Sequence, residues 1–227
     1  RAWGFTTSNY YIPSQEEITE LLKKTGYNKI QIENSENKVT LQEGMEIDFG
    51  GIAKGYSGDE AIQVLKECGV NSAILSLGGN IQALGSKPDG SAWNIAVKNP
   101  DNTDSYMGIL QIRNKAVVTS GGYERFFKGD NGEIYWHILN PATGQPAKQG
   151  LISVTIIGDS GRECDALSTA LFVKGLDGAA EYWKKYGGFE AIFVTEERDI
   201  YITEGISKTF VPEGEYKEKK IKVIEKS

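Results

Sequence analysis

The stretch from Ile47 to Ala61, IDFGGIAKGYSGDEA, constrains this chain more than any other, because an apolar β-like run passes through two adjacent glycines into a helical pattern. Asp48 precedes Gly50 and Gly51, so two residues without Cβ stand where the chain turns into a helix. Free N–H groups and the positive end of the helix dipole can then face an anion, and a phosphate suits that place. The plainer alternative is a tight strand-to-helix turn with Lys54 in solvent.

The 227 residues are enough to bury a sizeable core, and one compact domain over 1–227 is expected. A net charge of −6 gives no electrostatic footprint for nucleic acid. No apolar run approaches the roughly 18 residues of a membrane span. Cys68 and Cys164 lack any CxxC or Cys-His spacing that would suggest zinc, and both read as buried free thiols. The chain opens at Arg1 without a methionine, which reads as a processed product or a fragment.

Ser14 to Glu17 is a capping box for a short helix carrying Ile18, Leu21 and Leu22 and stopped by Gly26. Lys29 to Glu33 and Lys38 to Gln42 alternate around a polar turn and predict a hairpin. Ile52, Tyr56, Ile62 and Leu65 share a helical face that ends near Cys68 and Gly69. Ser72 to Leu77 and Ile81 to Leu84 are strands around Gly78-Gly79-Asn80, where a second close backbone approach is expected. Further strands are predicted over Trp93 to Val97, Gly108 to Ile112 and Ala116 to Thr119, consistent with a growing antiparallel sheet. Lys128 to Gly132 is a turn between two aromatic-rich arms. Leu151 to Ile157 is a strand, Asp165 to Val173 and Gly178 to Tyr186 are two helices, and Phe189 to Thr195 pairs with Asp199 to Thr203. From Glu213 the composition turns to Lys and Glu, with an alternating piece at Ile221, Val223 and Ile224 that reads as an edge strand or a tail.

Asp165 and Thr169 are four apart, so on a helix their oxygens share a face, and Ser168 can point the same way. Carboxylate, hydroxyl and carbonyl oxygens without imidazole or thiolate suit Mg²⁺ or Ca²⁺ and not zinc. The competing reading makes Asp165 a helix cap with Ser168 and Thr169 bonded back to their own helix. His137 is the only histidine. It stands in a strand arm before Asn140-Pro-Ala-Thr-Gly144, as a packed strand residue or as a proton carrier in the company of Ser120 and Arg125.

Taken in order, the blocks DFGGIAKGYSGD, LSLGGNIQALG, TSGGYERFF, HILNPATGQP and SVTIIG followed by CDALSTALFVKG resemble the ApbE family of flavin transferases, from Trp3 to Gly175. The resemblance implies an α+β, T-fold-like arrangement of largely antiparallel sheets with packed helices. It further implies a Mg²⁺-dependent FAD:protein FMN transferase that moves FMN from FAD onto a Thr or Ser hydroxyl of an acceptor protein and releases AMP. By position, Asp165, Thr169 and Ser168 match metal ligands, with Ala53 supplying a backbone carbonyl. Asp48, Gly50, Tyr56, Leu139, Ser120 and Arg125 match FAD contacts. Asp165 and His137 form the expected catalytic set, and the candidate base is His137 or a ligand-free carboxylate, since an imidazole, or an Asp near a divalent ion, can take the proton of the attacking hydroxyl.

Members also carry a segment before the Trp-Gly-Phe block that contacts the flavin, so an incomplete flavin wall is expected here, and Ser168 stands where some members have a carboxylate. Two other outcomes share the motifs. A Mg²⁺-dependent FAD pyrophosphatase would use water in place of the acceptor hydroxyl, and an FAD-binding protein would not turn over, although it would need no metal cage. The resemblance points to acceptor subunits of membrane redox pumps or related extracytoplasmic flavoproteins, and so to an exported, lipid-anchored enzyme.

Overall fold

The computed structural model describes residues 1–130 and 132–226. They form two compact units, one of Arg1–Asp48 with Glu124–Ala147, the other of Phe49–Tyr123 with Lys148–Ser227.

The first unit opens on α1 (Gln15–Leu22), which starts where the sequence requires. The Ser14 Oγ accepts from the Glu17 N–H at 3.3 Å, and the Glu17 carboxylate accepts from the Ser14 N–H at 2.8 Å, so two otherwise orphaned donors are satisfied. Ile18 is buried, whereas Leu21 is exposed. β1 (Gln31–Glu33) and β2 (Lys38–Thr40) pair antiparallel as the alternation predicts, with Ile32 and Val39 both exposed.

In the second unit α2 (Ala53–Glu67) follows the glycine pair. The run before it is not a strand: 41–50 holds only turns and irregular chain. Apolar residues there have no neighbouring strand to complete a ladder. The helix also packs on a face other than the predicted one, because its buried residues are Gly55 and Gly58, while Tyr56 is about half exposed. It ends at Cys68, which is exposed rather than buried, and Gly69 leaves in the left-handed region with φ +79°.

β3 (Ala73–Leu77) and β4 (Asn80–Leu84) form a hairpin. The pair between them is there for the turn and not for a close approach: Gly78 and Gly79 have φ +58° and +92°, and a Cβ on Gly78 would meet open space. β5 (Trp93–Lys98), β6 (Tyr106–Ile112) and β7 (Ala116–Gly121) follow. In the first unit β8 (Phe126–Lys128) and β9 (Ile134–Trp136) make the aromatic hairpin, of whose predicted turn Asn131 lies outside the described residues.

β10 (Leu151–Gly158) leads to α3 (Gly161–Tyr186), which is two helices, as the sequence predicts, meeting at a kink at Gly175, where φ is +74°. β11 (Phe189–Thr195), β12 (Ile200–Thr203), β13 (Phe210–Pro212) and β14 (Ile221–Ile224) close the unit. The seven-stranded sheet runs β14-β12-β11-β10-β7-β4-β3, and β13-β6-β5 form a second sheet. Among the described residues all ladders are antiparallel except β12 with β14, and the alternating tail piece is an edge strand.

Alternation along the strands divides the two faces of the large sheet. Val117, Ile157, Ile192, Val194 and Ile202 meet Ile95, Val97, Met107 and Leu110 of the smaller sheet in the main core. The other face carries α2 and α3, which pack on β4, β7 and β10. The fold is therefore α+β and largely antiparallel, with both helices of this unit on one face.

Candidate functional site

The α2–α3 contact is made through glycines, and that closeness assembles the site. A Cβ on Gly55 would overlap the Gly161 backbone, and one on Gly161 would overlap the Gln82 amide. Asp59, on α2, accepts from the Ser160 Oγ at 2.9 Å and from the N–H groups of Gly161 and Arg162 at 2.6 and 3.0 Å. One carboxylate thus satisfies the orphaned donors that open α3 and meets the positive end of its dipole. Asp165 is therefore not a cap; it lies in the second turn.

Asp165 is only 3% exposed. Its Oδ2 accepts from the Gly55 N–H at 2.9 Å, and its Oδ1 is 3.9 Å from the Lys54 Nζ. Gln82 donates its Nε2 to the carbonyl of Gly55 at 3.0 Å, so both faces of that residue's backbone are fixed. One turn further along α3, the Ser168 Oγ donates to the carbonyl of Asp165 at 2.9 Å, the back-bonding that the plainer reading anticipates. The Ser120 Oγ, from β7, sits 2.8 Å from the Ser168 Oγ and 3.1 Å from the Thr169 Oγ1. Four predicted residues, Ser120, Asp165, Ser168 and Thr169, are thus brought together.

Ala53 opens α2, which directs its carbonyl up the helix toward residue 57. Gly55 is the third residue of α2, so its N–H is one of the donors that a helix start leaves unpaired, and the Asp165 carboxylate accepts from it. A Cβ on Gly51 would meet nothing within 4 Å. The donor set is oxygen throughout, with one buried carboxylate, three hydroxyls and a carbonyl, and this fits a hard divalent cation that keeps several positions for water or phosphate. No group of three His, Cys, Asp or Glu side chains gathers among the described residues, so protein charge on such a cation comes from Asp165.

Lys54, Asp59 and Gln82 are absent from the sequence-based ligand set. Asp59 and Gln82 carry the one available signal, a polar residue interrupting the apolar pattern of an element. Cys164, one residue before Asp165, is a packing residue: burial pushes its thiol up to about 12, with the nearby Asp59, Glu163 and Asp159 charges adding to the effect.

Other predicted residues are exposed or belong to the first unit. Tyr56 and Gly50 are exposed on the second unit, and Asp48 is exposed on the first. His137, half-buried in the first unit, donates its backbone N–H to the Arg125 carbonyl at 3.1 Å and places its Nδ1 3.2 Å from the same oxygen. The Phe5 ring meets the imidazole edge-on, with centroids 6.3 Å apart, and Tyr10, Phe127 and Tyr135 stack in sequence at 4.9 and 5.3 Å. Leu139 bridges Pro146 across the Asn140–Gln145 turn and lines a groove of about 510 Å³ with Trp3, Ile18 and Leu22.

Known proteins share this sequence pattern and this fold. The chain is 32% identical over 221 residues to the FAD:protein FMN transferase of Treponema pallidum, covering 91% of this chain and 61% of that protein. It is 34% identical over 214 residues to one from Klebsiella pneumoniae, covering 93% of this chain and 66% of the relative. The chain therefore spans somewhat less than two thirds of the length of these relatives. Among solved structures, the ApbE protein of Thermotoga maritima superposes with a TM-score of 0.82 at 37% identity, covering 91% of this chain and 68% of that one. The Pseudomonas stutzeri flavinyl transferase ApbE does so with 0.78 at 33%, covering 92% and 66%. The profile of the ApbE family matches residues 1–193, and with these relatives it establishes that the chain belongs to that family.

Proposed function

We propose that this protein acts as a Mg²⁺-dependent FAD:protein FMN transferase, which transfers FMN from FAD to a Thr or Ser hydroxyl of an acceptor flavoprotein and releases AMP. The observation that carries this reading is the meeting of Asp165, Ser168, Thr169 and Ser120 with the glycine-rich first turn of α2. A bound Mg²⁺ would supply Lewis-acid stabilisation of the charge that develops on the phosphoryl oxygens and on the departing AMP.

Asp165, Thr169 and the carbonyl of Ala53 would hold the cation, with Ser168 beside them. Lys54, whose side chain is 48% exposed, would add a mobile positive charge toward the pyrophosphate. The exposed glycine pair allows the phosphates to approach the backbone. In the reaction the oxygen of the acceptor hydroxyl forms a bond to the FMN phosphorus as the pyrophosphate bridge to AMP breaks. His137 or a carboxylate that does not hold the cation takes the hydroxyl proton. We further propose, from the resemblance of its sequence blocks, that the protein is exported and lipid-anchored and acts on extracytoplasmic redox subunits.

Incubation with FAD, Mg²⁺ and a candidate acceptor, followed by intact mass measurement, tests the proposal. An acceptor heavier by FMN less one water, with AMP released in equal amount, is the expected result. Free FMN and AMP over an unmodified acceptor would make the protein a pyrophosphatase, and unchanged FAD would remove catalysis altogether.

A further inference from the structure

Asn80 begins β4 and is 1% exposed, yet neither its Oδ1 nor its Nδ2 has a hydrogen-bond partner among the described residues. A buried carboxamide with both ends unsatisfied costs stability and calls for a reason. Strand geometry indicates where it is aimed. Asn80 shares its face of the sheet with Gln82, two residues on, and Gln82 reaches the carbonyl of Gly55 in the first turn of α2. Across the ladder Asn80 lies opposite Val118, so Ser120, two residues further along β7, is its diagonal neighbour on the same face, with about 7 Å between the two Cβ atoms. The carboxamide thus stands beneath α2, beside the hydroxyl that joins Ser168 and Thr169.

We propose that Asn80 is a positioning residue of the cation site, whose carboxamide makes its hydrogen bonds to a metal-bound water or ligand oxygen when the site is loaded. The inference rests on the cation reading given above. Its chemistry fits: Mg²⁺ retains several waters, each water needs an acceptor for its protons, and a carboxamide offers both an acceptor and a donor without adding charge. An aliphatic residue here would pack as well and leave nothing unpaired. The polar choice is therefore made for something other than the fold.

The test separates binding from stability. Asn80→Leu and Asn80→Ala are compared with the unsubstituted protein by thermal unfolding without added metal and by calorimetric titration with Mg²⁺ alone. The proposal expects the Leu variant to unfold at the same temperature or higher, since an unpaired dipole is removed. It expects both variants to bind Mg²⁺ at least about tenfold more weakly, the size of effect that residues behind metal ligands have. Asn80→Asp, which keeps an acceptor oxygen, should bind at least tenfold more tightly than the Leu variant. Unchanged Mg²⁺ affinity in Asn80→Leu or Asn80→Ala would overturn the proposal while leaving the cation site standing. Absence of Mg²⁺ binding in the unsubstituted protein would remove the cation site, and the role of Asn80 with it. If the Leu variant is too unstable to titrate, the Ala variant decides, and an Ala variant of lowered melting temperature with unaltered Mg²⁺ affinity assigns Asn80 to the fold and rejects the proposal.

Discussion

Asp165 carries the only buried carboxylate in the cluster, and its two oxygens have different surroundings: one on a backbone N–H, the other toward Lys54. Asp165→Asn keeps the volume and an acceptor for the Gly55 N–H while removing the charge that a cation requires. The variant should fold, and its FMN transfer at limiting Mg²⁺ should fall by more than about a hundredfold, beyond the losses seen when residues behind the ligands are changed. Wild-type transfer at limiting Mg²⁺ would remove Asp165 from the site. The residues of this cluster differ in how readable they are. Asp165, Ser168 and Thr169 lie three and four apart on one helix, so helical geometry alone groups them. Ser120 comes from a strand 48 residues before Ser168, and Lys54 lies more than a hundred residues before Asp165, so no local pattern joins them to the group.

At the scale of elements, the glycines of α2 divide by what surrounds them. Gly55 faces the backbone of α3, and Gly51 faces open space. Gly55→Ala should cost about 1–3 kcal/mol, toward the upper end because backbone and not a flexible side chain must yield. Gly51→Ala should change stability by no more than about 0.5 kcal/mol while weakening FAD, the readouts being melting temperature and calorimetric titration. A Gly51→Ala protein that binds FAD normally would make the pair a turn and nothing more. The limits of α1 are legible because its capping box is wholly local, and the bounds of most strands follow from alternation. The packing face of α2 is not legible, since hydropathy scores the large side chains, whereas the interface selects residues that have none. The run before Gly50 fails as a strand for a related reason: β character is local, and a ladder needs a partner.

For the molecule as a whole, burial is unequal between the units. β10 is buried along almost its whole length in the middle of the seven-stranded sheet, while every residue of β1 and β2 is exposed. Hydrogen exchange should be slowest for amides of β10 and β11 and should approach free-chain rates in β1 and β2. Protection of β1 and β2 equal to that of β10 would contradict this. Strand order lay beyond the sequence: adjacent hairpins can be read, but the placing of β7 between β4 and β10, and of β14 parallel to β12, depends on pairings distant along the chain. The carboxylate that opens α3 has a consequence for biosynthesis. Asp59 and its three partners are 101 to 103 residues apart, and Gly55 and Asp165 are 110 apart. A nascent chain emerging from the ribosome presents the glycine turn long before the oxygens it must meet. The proposed cation needs Thr169 as well as α2, so its loading would wait on the slow closure of that long loop.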